Sequence, residues 1–171
     1  EAKHINDVIT SFLEFTKIQK LQKEETKFLK IIKVVVEPLK INYPKINFIT
    51  GEKDIKLYID PYLFAQALRA VIENSCEAQK EGDIFIDCQE SENKIIIEIK
   101  DSGEGMDEET EKNAFIPFFS TKPNGTGLGL PLAHKILTLH NGSISIYSKK
   151  GVGTNIKILL NKEVLQNDTY N

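Results

Sequence analysis

Two glycine-rich turns, Asp101-Ser-Gly-Glu-Gly-Met106 and Gly125-Thr-Gly-Leu-Gly-Leu130, flank a lid-like segment, Phe115-Ile-Pro-Phe-Phe-Ser-Thr-Lys122. A helical stretch bearing Glu73-Asn74 precedes all three. This order suits a nucleotide gripped at both ends. Asp101 ends an apolar run and opens a glycine turn. Its carboxylate accepts hydrogen bonds but donates none, which matches the exocyclic amine of adenine and repels the carbonyl of guanine. Gly103 and Gly105 let backbone pass close to a ring and reach positive φ. Gly125, Gly127 and Gly129 stand just before a helix, where free N–H groups with no Cβ in the way hold phosphate. Asn74 is a poor residue for a helix interior. Its carbonyl oxygen suits Mg2+, an ion that takes one or two protein ligands beside water and phosphate oxygens. Lys122 is placed to swing onto a triphosphate as a point charge.

Each signal alone admits a plainer reading: a surface turn, a helix-surface Asn, a solvated lid Lys. Several other chemistries are excluded. The acidic turn is no EF-hand, because Gly103 stands where a ligand carboxylate is required. The glycine run has GxGxG spacing with no strand before it, unlike a dinucleotide fingerprint, and no Gly-Lys-Ser/Thr occurs for a P-loop. Arg69, Glu73, Glu77 and Lys80 line one helix face and read mostly as solvated pairing of little worth. Phe115, Phe118 and Phe119 are too apolar for a free loop, so they anchor the lid over nucleotide or mark a docking surface. His4, His134 and His140 form no zinc pattern and read as structural. No Ser/His/Asp or Cys/His set is present.

The elements that must position these residues follow from periodicity. Residues 1–27 read as one amphipathic helix, with Ile5, Val8, Phe12, Phe15, Ile18 and Leu21 as its stripe and Ile9 and Leu13 broadening it. The first four stripe positions fit a heptad seam, which predicts packing against another helix. A second helix is expected from about Glu25 to Glu37, brought to an end by Pro38 and then Tyr43-Pro44. Short strands at 46–49 and 56–59 flank a turn at Gly51. Asp60-Pro61 starts a helix as N-cap and first helical residue. Its inner side carries Phe64, Ala67, Leu68, Val71, Ile72 and Ser75, and Gly82 closes it. Strands follow at 84–86 and 94–100, the latter suited to a sheet centre. Asp107 opens a short helix, 116–126 is a loop, and 128–139 is helical with Pro131 in its first turn. Asn141-Gly142 turns the chain into a hairpin of 143–148 and 155–160, and 161–171 reads as a polar tail. The sum is an α+β sandwich, a mixed and largely antiparallel sheet with helices on one face, preceded by one amphipathic helix.

Composition agrees. At 171 residues, 40% apolar and 27% charged, the chain supports one well-buried domain with a short appendage. A net charge of −3 gives no reason to expect nucleic-acid binding. Cys76 and Cys88 lack CxxC spacing, which fits a reducing compartment. No segment approaches the about 18–20 apolar residues of a membrane span, and no signal peptide is visible. The opening Glu1-Ala-Lys-His4 reads as helix interior, so the chain is expected to be a piece of a longer protein.

Taken together, the motifs resemble one family: the ATP-binding catalytic domain of bacterial sensor histidine kinases, in the Bergerat-fold (GHKL) superfamily. Gln66-Ala-Leu-Arg-Ala-Val-Ile-Glu-Asn-Ser-Cys-Glu-Ala78 is similar to the N box and Asp101-Ser-Gly-Glu-Gly-Met106 to the G1 box. Phe115-Ile-Pro-Phe-Phe119 is similar to the F box, and Gly125-Thr-Gly-Leu-Gly-Leu130 to the G2 box. Gly151-Val-Gly-Thr154 resembles the last glycine motif. The resemblance covers residues 28–160. Residues 5–16 look like the end of the second helix of the dimerisation and phosphotransfer domain. The His-Glu…Pro motif of such a domain is absent, so the acceptor histidine is expected outside this chain.

The resemblance implies roles. Asp101 would bind adenine, with Thr154 helping through water. Asn74 would hold Mg2+, and Lys122 would meet the phosphates. Gly103, Gly105, Met106, Ser120, Thr121, Gly125, Thr126, Gly127, Leu128, Gly129 and Leu130 would shape the ATP pocket. Glu73 is the nearest candidate to polarise the acceptor. The implied activity is transfer of the γ-phosphoryl of Mg-ATP to a histidine on a dimeric helical domain, for relay to a response-regulator aspartate. The implied setting is the cytoplasm. A serine kinase of the anti-sigma type and a non-catalytic nucleotide sensor are the alternatives on this fold. Two departures stand out. Ala70 occupies the position where many kinases carry Asn and ATP-hydrolysing relatives a catalytic Glu, which argues against an efficient ATPase. Asn141 replaces the first Gly of a common His-Gly-Gly.

Overall fold

A computed structural model describes residues 6, 9, 10, 12, 13, 16 and 20–162. Its regular elements after residue 20 are β1 (Glu24–Lys27), α1 (Phe28–Asn42), β2 (Ile46–Thr50), β3 (Lys56–Ile59), α2 (Pro61–Gln79), β4 (Gly82–Glu90), β5 (Lys94–Asp101), α3 (Glu108–Asn113), α4 (Gly129–Leu139), β6 (Ser143–Lys149) and β7 (Gly153–Asn161). Five strands form one sheet in the order β2-β4-β5-β7-β6. β2 and β4 run parallel, and the remaining pairs are antiparallel. The expected mixed, largely antiparallel sheet is therefore present, with β5 at its centre.

Alternation along the strands makes one face of the sheet apolar. Ile84 and Ile86 of β4, Ile95, Ile97 and Ile99 of β5, and Ile156, Ile158 and Leu160 of β7 are all buried. They share one core with the inner stripes of α1, α2 and α4. The α2 stripe, Phe64, Ala67, Leu68, Val71 and Ile72, is wholly buried. Each large side chain so buried is worth about 1.5–3 kcal/mol. α2 starts as its residue types dictate: Asp60 Oδ1 accepts from Leu63 N at 3.0 Å, and Pro61 takes the first helical position. His140 supports that start from the end of α4. Its Nε2 accepts from Asp60 N at 3.0 Å and its Nδ1 lies 2.8 Å from Ile136 O, which makes it structural, as expected.

The structure corrects three local expectations. The first helix does not run to residue 27. Asn6, Ile9, Thr10, Phe12, Leu13 and Thr16 are helical, but 20–23 are irregular and Glu24–Lys27 is a strand. The strand forms because it pairs antiparallel with β3 in a separate two-stranded sheet, and Gln22 N donates to Asp60 Oδ2 at 2.8 Å. Second, α1 runs through Pro38 and stops only at Asn42, before the second expected stop, Tyr43-Pro44. Pro38 sits on the exposed face, so the carbonyl that loses its partner is solvated by water. Third, Lys80, at φ 61, ends α2, and Gly82 is already the first residue of β4. The short strands expected on either side of Gly51 are present as β2 and β3, and they belong to different sheets. Ile5, Val8, Phe15 and Ile18 of the first stripe, His4, and residues 163–171 of the tail lie outside the described residues. Among the described residues no helix is long and apolar enough to cross a membrane.

Candidate functional site

β5 delivers Asp101 to the rim of the sheet, opposite Thr154 of β7. Asp101 Oδ1 accepts from Gly103 N at 3.0 Å and from Thr154 N at 3.1 Å. Oδ2 makes no hydrogen bond among the described residues, so the carboxylate is oriented yet keeps one oxygen to accept another donor. Ser148 backs this arrangement. Its Oγ accepts from Met106 N at 2.8 Å and lies 2.8 Å from Thr154 Oγ1. Glu111 of α3 accepts from Ser148 N at 2.8 Å. Gly105 needs its residue type: φ is +64 and a Cβ there would strike the Lys149 carbonyl. Asp101, Gly103, Gly105, Met106 and Thr154 are thus brought together.

The end of α2 ties this acid turn to a second cluster. Ser102 N donates to Gln79 Oε1 at 2.9 Å and Glu104 N to Ala78 O at 3.2 Å. Asn74 lies one turn earlier, about 6 Å along the helix axis from Ala78. Its Nδ2 donates to Ala70 O at 3.0 Å, which turns Oδ1 outward to accept from Lys122 Nζ at 2.9 Å. Lys122 also forms a close ion pair with Glu77, three residues after Asn74 on the same helix. Gly129 packs against this spot, since a Cβ on it would lie 3.7 Å from Ala70 Cβ and 3.8 Å from Asn74 Nδ2. α4 has neither a side-chain cap nor an acid in its first turn. The first turn of α4 therefore brings no negative charge of its own to the Asn74 cluster.

The segment between the clusters is compact. Lys122 N donates to Ser120 Oγ at 3.1 Å, and Gly125 N to Lys122 O at 3.1 Å. Thr126 Oγ1 accepts from Leu128 N at 3.3 Å. Gly127, at φ +65, passes its backbone close over Phe118 and Phe119. Leu128 is buried and Leu130 packs on the core, so both present backbone rather than side chain. Thr121 is exposed. The three phenylalanines divide. Phe115 lies against His134 at 5.4 Å between ring centres and Phe119 is half-buried, whereas Phe118 is 60% exposed and stacks on Phe12 at 6.3 Å. Phe118 also holds a φ of 66, a strained value for a bulky residue.

Glu73 pairs with Arg69 at 3.8 Å and not with Lys122. Glu77, Gln79 and Ser148 are contacts that the motifs did not single out. Glu77 was legible in principle, because three-residue spacing puts it beside Asn74. Burial also acts on Cys76, on the inner side of α2. Desolvation, reinforced by the charges of Glu73 and Glu77, pushes its thiol up to about 12.

Comparison with known proteins points the same way. Residues 59–164 match the family described as histidine kinase-, DNA gyrase B- and HSP90-like ATPase. Sporulation kinase E of Bacillus subtilis is 31% identical over 98% of this chain, which spans 24% of that relative's length. The catalytic domain of histidine kinase ThkA superposes with a TM-score of 0.72 at 28% identity, covering 82% of this chain and 96% of that one. ThkA in complex with the response regulator protein TrrA superposes with a TM-score of 0.79 at 25% identity, covering 95% of this chain and 48% of that one. The chain belongs to the histidine kinase-, DNA gyrase B- and HSP90-like ATPase family, on its histidine-kinase branch.

Proposed function

We propose that this chain is the catalytic unit of a cytoplasmic protein-histidine kinase that works on Mg-ATP. The observation that carries the reading is the double attachment to α2: the Asp101 turn on Ala78 and Gln79, and Lys122 and Gly129 on Asn74. One helix would thus hold a base-reading acid at a set distance from a phosphate-binding end. Asp101 Oδ2 would accept from the adenine amine, with Thr154 Oγ1 beside it. The N-terminus of α4 and Lys122 would hold the phosphates.

The residues fit magnesium. Asn74 offers an oriented amide oxygen that already takes a cationic contact from Lys122. No group of three or more His, Cys, Asp or Glu that could hold a metal is found among the described residues, so the remaining ligands would be phosphate oxygens and water. When bound, the metal neutralises charge on the phosphates.

In the reaction, the bond between the γ-phosphorus and the β–γ bridging oxygen breaks and a phosphorus–nitrogen bond to the acceptor imidazole forms, leaving ADP, and the proton on the other ring nitrogen passes to solvent. A neutral imidazole is already nucleophilic. The domain therefore needs positioning and charge neutralisation more than a base, and Glu73 would at most polarise the acceptor. Ala70 supplies no group to activate water. The acceptor would lie on the chain's own dimerisation and phosphotransfer domain in a homodimeric parent, with a response-regulator receiver aspartate as next recipient. The complex of ThkA with TrrA supports that recipient.

The test supplies a dimerisation domain bearing the histidine, together with γ-labelled ATP and Mg2+. Acid-labile label on the acceptor, abolished by Asn74→Asp in a folded protein, is expected. Acid-stable label would point to a serine acceptor. Equal transfer by Asn74→Asp would remove the site assignment.

A further inference from the structure

We infer that Glu77 is a positioning residue that parks the lid lysine on the cation-binding oxygen of Asn74 and must release it when nucleotide arrives. This rests on the reading of Asn74 and Lys122 given above. Lys122 Nζ donates to Asn74 Oδ1 at 2.9 Å while it pairs with the Glu77 carboxylate. An ammonium and a metal ion seek the same oxygen. The bond of Asn74 Nδ2 to Ala70 O fixes which way Oδ1 points, and an ammonium and a metal ion held on that one oxygen would repel each other at close range. Occupation by Lys122 and by a metal–phosphate unit are therefore exclusive.

The lysine does not reach this position on a loose tether. Ser120 Oγ and Gly125 N both bond its backbone, and Phe118 N donates to Gly127 O at 2.9 Å. The ammonium is thus the pin of a folded lid. Without Glu77, Asn74 alone would offer one neutral acceptor against full hydration of an ammonium, a weak hold. With Glu77, Lys122 gains a charge-assisted partner on the next turn of α2. Arriving phosphates compete for Lys122, and the metal competes for Asn74. The lysine then moves from Glu77 to the triphosphate, and the lid moves with it. Glu77 acts only through Lys122 and needs no contact with substrate.

The experiment compares the full chain with Glu77→Gln, Lys122→Met and the double variant. Hydrogen exchange of segment 118–127 without nucleotide is read beside calorimetric affinity for Mg-ATP. Both positions are partly exposed, and a circular dichroism spectrum checks folding. Each single variant should speed lid exchange about two- to fivefold, as loss of one exposed ion pair allows, and the double variant no further. Glu77→Gln should bind Mg-ATP tighter than the parent by about the same factor, because a competitor is lost. In the Lys122→Met background the same change should have much less effect. Unchanged lid exchange in Glu77→Gln, additive effects, or an equal gain in both backgrounds would overturn the inference. The last of these would mean that Glu77 merely repels phosphate. If the parent chain binds no Mg-ATP, the proposed function falls, and lid exchange alone still decides whether the parked lysine exists.

Discussion

Thr154 donates its backbone N–H to Asp101 Oδ1 at 3.1 Å, across a β5–β7 register in which the two residues face each other. This bond joins two turns that are 53 residues apart in the chain. With Gly103 N on the same oxygen, it stops the carboxylate from rotating and leaves Oδ2 with a defined direction. The acid is organised by the fold itself, so any donor that met Oδ2 would not have to order it first.

Asp101→Asn tests that geometry. The amide oxygen can replace Oδ1 and keep both backbone bonds, so the fold should survive. The NH2 then replaces Oδ2 and confronts the adenine amine with a second donor. Loss of a charge-assisted bond is worth about 1.5–3 kcal/mol, a fall in ATP affinity of about 10- to 150-fold. Preference for ATP over GTP should shrink as well, because an amide donor suits the guanine carbonyl. Calorimetry with both nucleotides reads the result, and unchanged ATP affinity would remove Asp101 from base recognition.

Two glycines separate backbone strain from steric contact. Gly127 and Gly151 both hold positive φ, +65 and +76. A Cβ on Gly127 would meet Phe119 O at 2.6 Å and Phe119 N at 2.7 Å, whereas a Cβ on Gly151 would have nothing within 4 Å. Gly151→Ala should therefore cost only the left-handed penalty, about 1–2 kcal/mol of unfolding free energy, with near-normal ATP binding. Gly127→Ala must also displace the lid backbone, and should lower ATP affinity at least about tenfold, since small misplacements at a site are expensive. Denaturant unfolding and nucleotide titration of the pair check this. Equal behaviour of the two would show that contact over Phe118 and Phe119 is irrelevant.

The helix that carries the site was legible because several signals agreed: Asp60 as cap, Pro61 as first residue, and a stripe from Phe64 to Ser75. The five-stranded sheet was legible from isoleucine alternation. Strand β1 was not, because Glu24–Lys27 has no apolar alternation and buries only Thr26. Its conformation depends on a partner 35 residues away, Ile59 opposite Glu24. Pro38 misled for a related reason. A proline ends a helix only where the lost hydrogen bond cannot be replaced, and the exposed side of α1 lets water replace it. At the candidate site, Asp101, Asn74, Lys122 and the glycines were nominated by type and order. Glu77 was read only as part of a solvated helix face and Ser148 not at all, since an acid on a helix face and a serine in a strand acquire meaning mainly from what folding sets beside them.

Alkaline pH should weaken the fold through two buried thiols and one partly buried phenol. Burial, helped by the Glu73 and Glu77 charges, pushes the Cys76 thiol from 9.0 up to about 12. Burial, helped by Asp87 and Glu90, does the same for Cys88. Burial, again with Glu77 and Glu73, raises the Tyr43 phenol from 10.0 to about 12. In each case the folded state holds its proton to higher pH than the unfolded chain. Between pH 9 and 12 the unfolded state binds fewer protons, so unfolding free energy falls with rising pH. The stability is intact below 9.0 and is lost through about 12. Urea midpoints should drop between about pH 7.5 and about pH 10.5, and less so in Cys76→Ala and Cys88→Ala. Native protein should resist alkylation at about pH 8, because thiolate rather than thiol reacts and neither sulfur is exposed. Rapid labelling of the folded chain, or midpoints independent of pH across that window, would show that these thiols are not held neutral by the core.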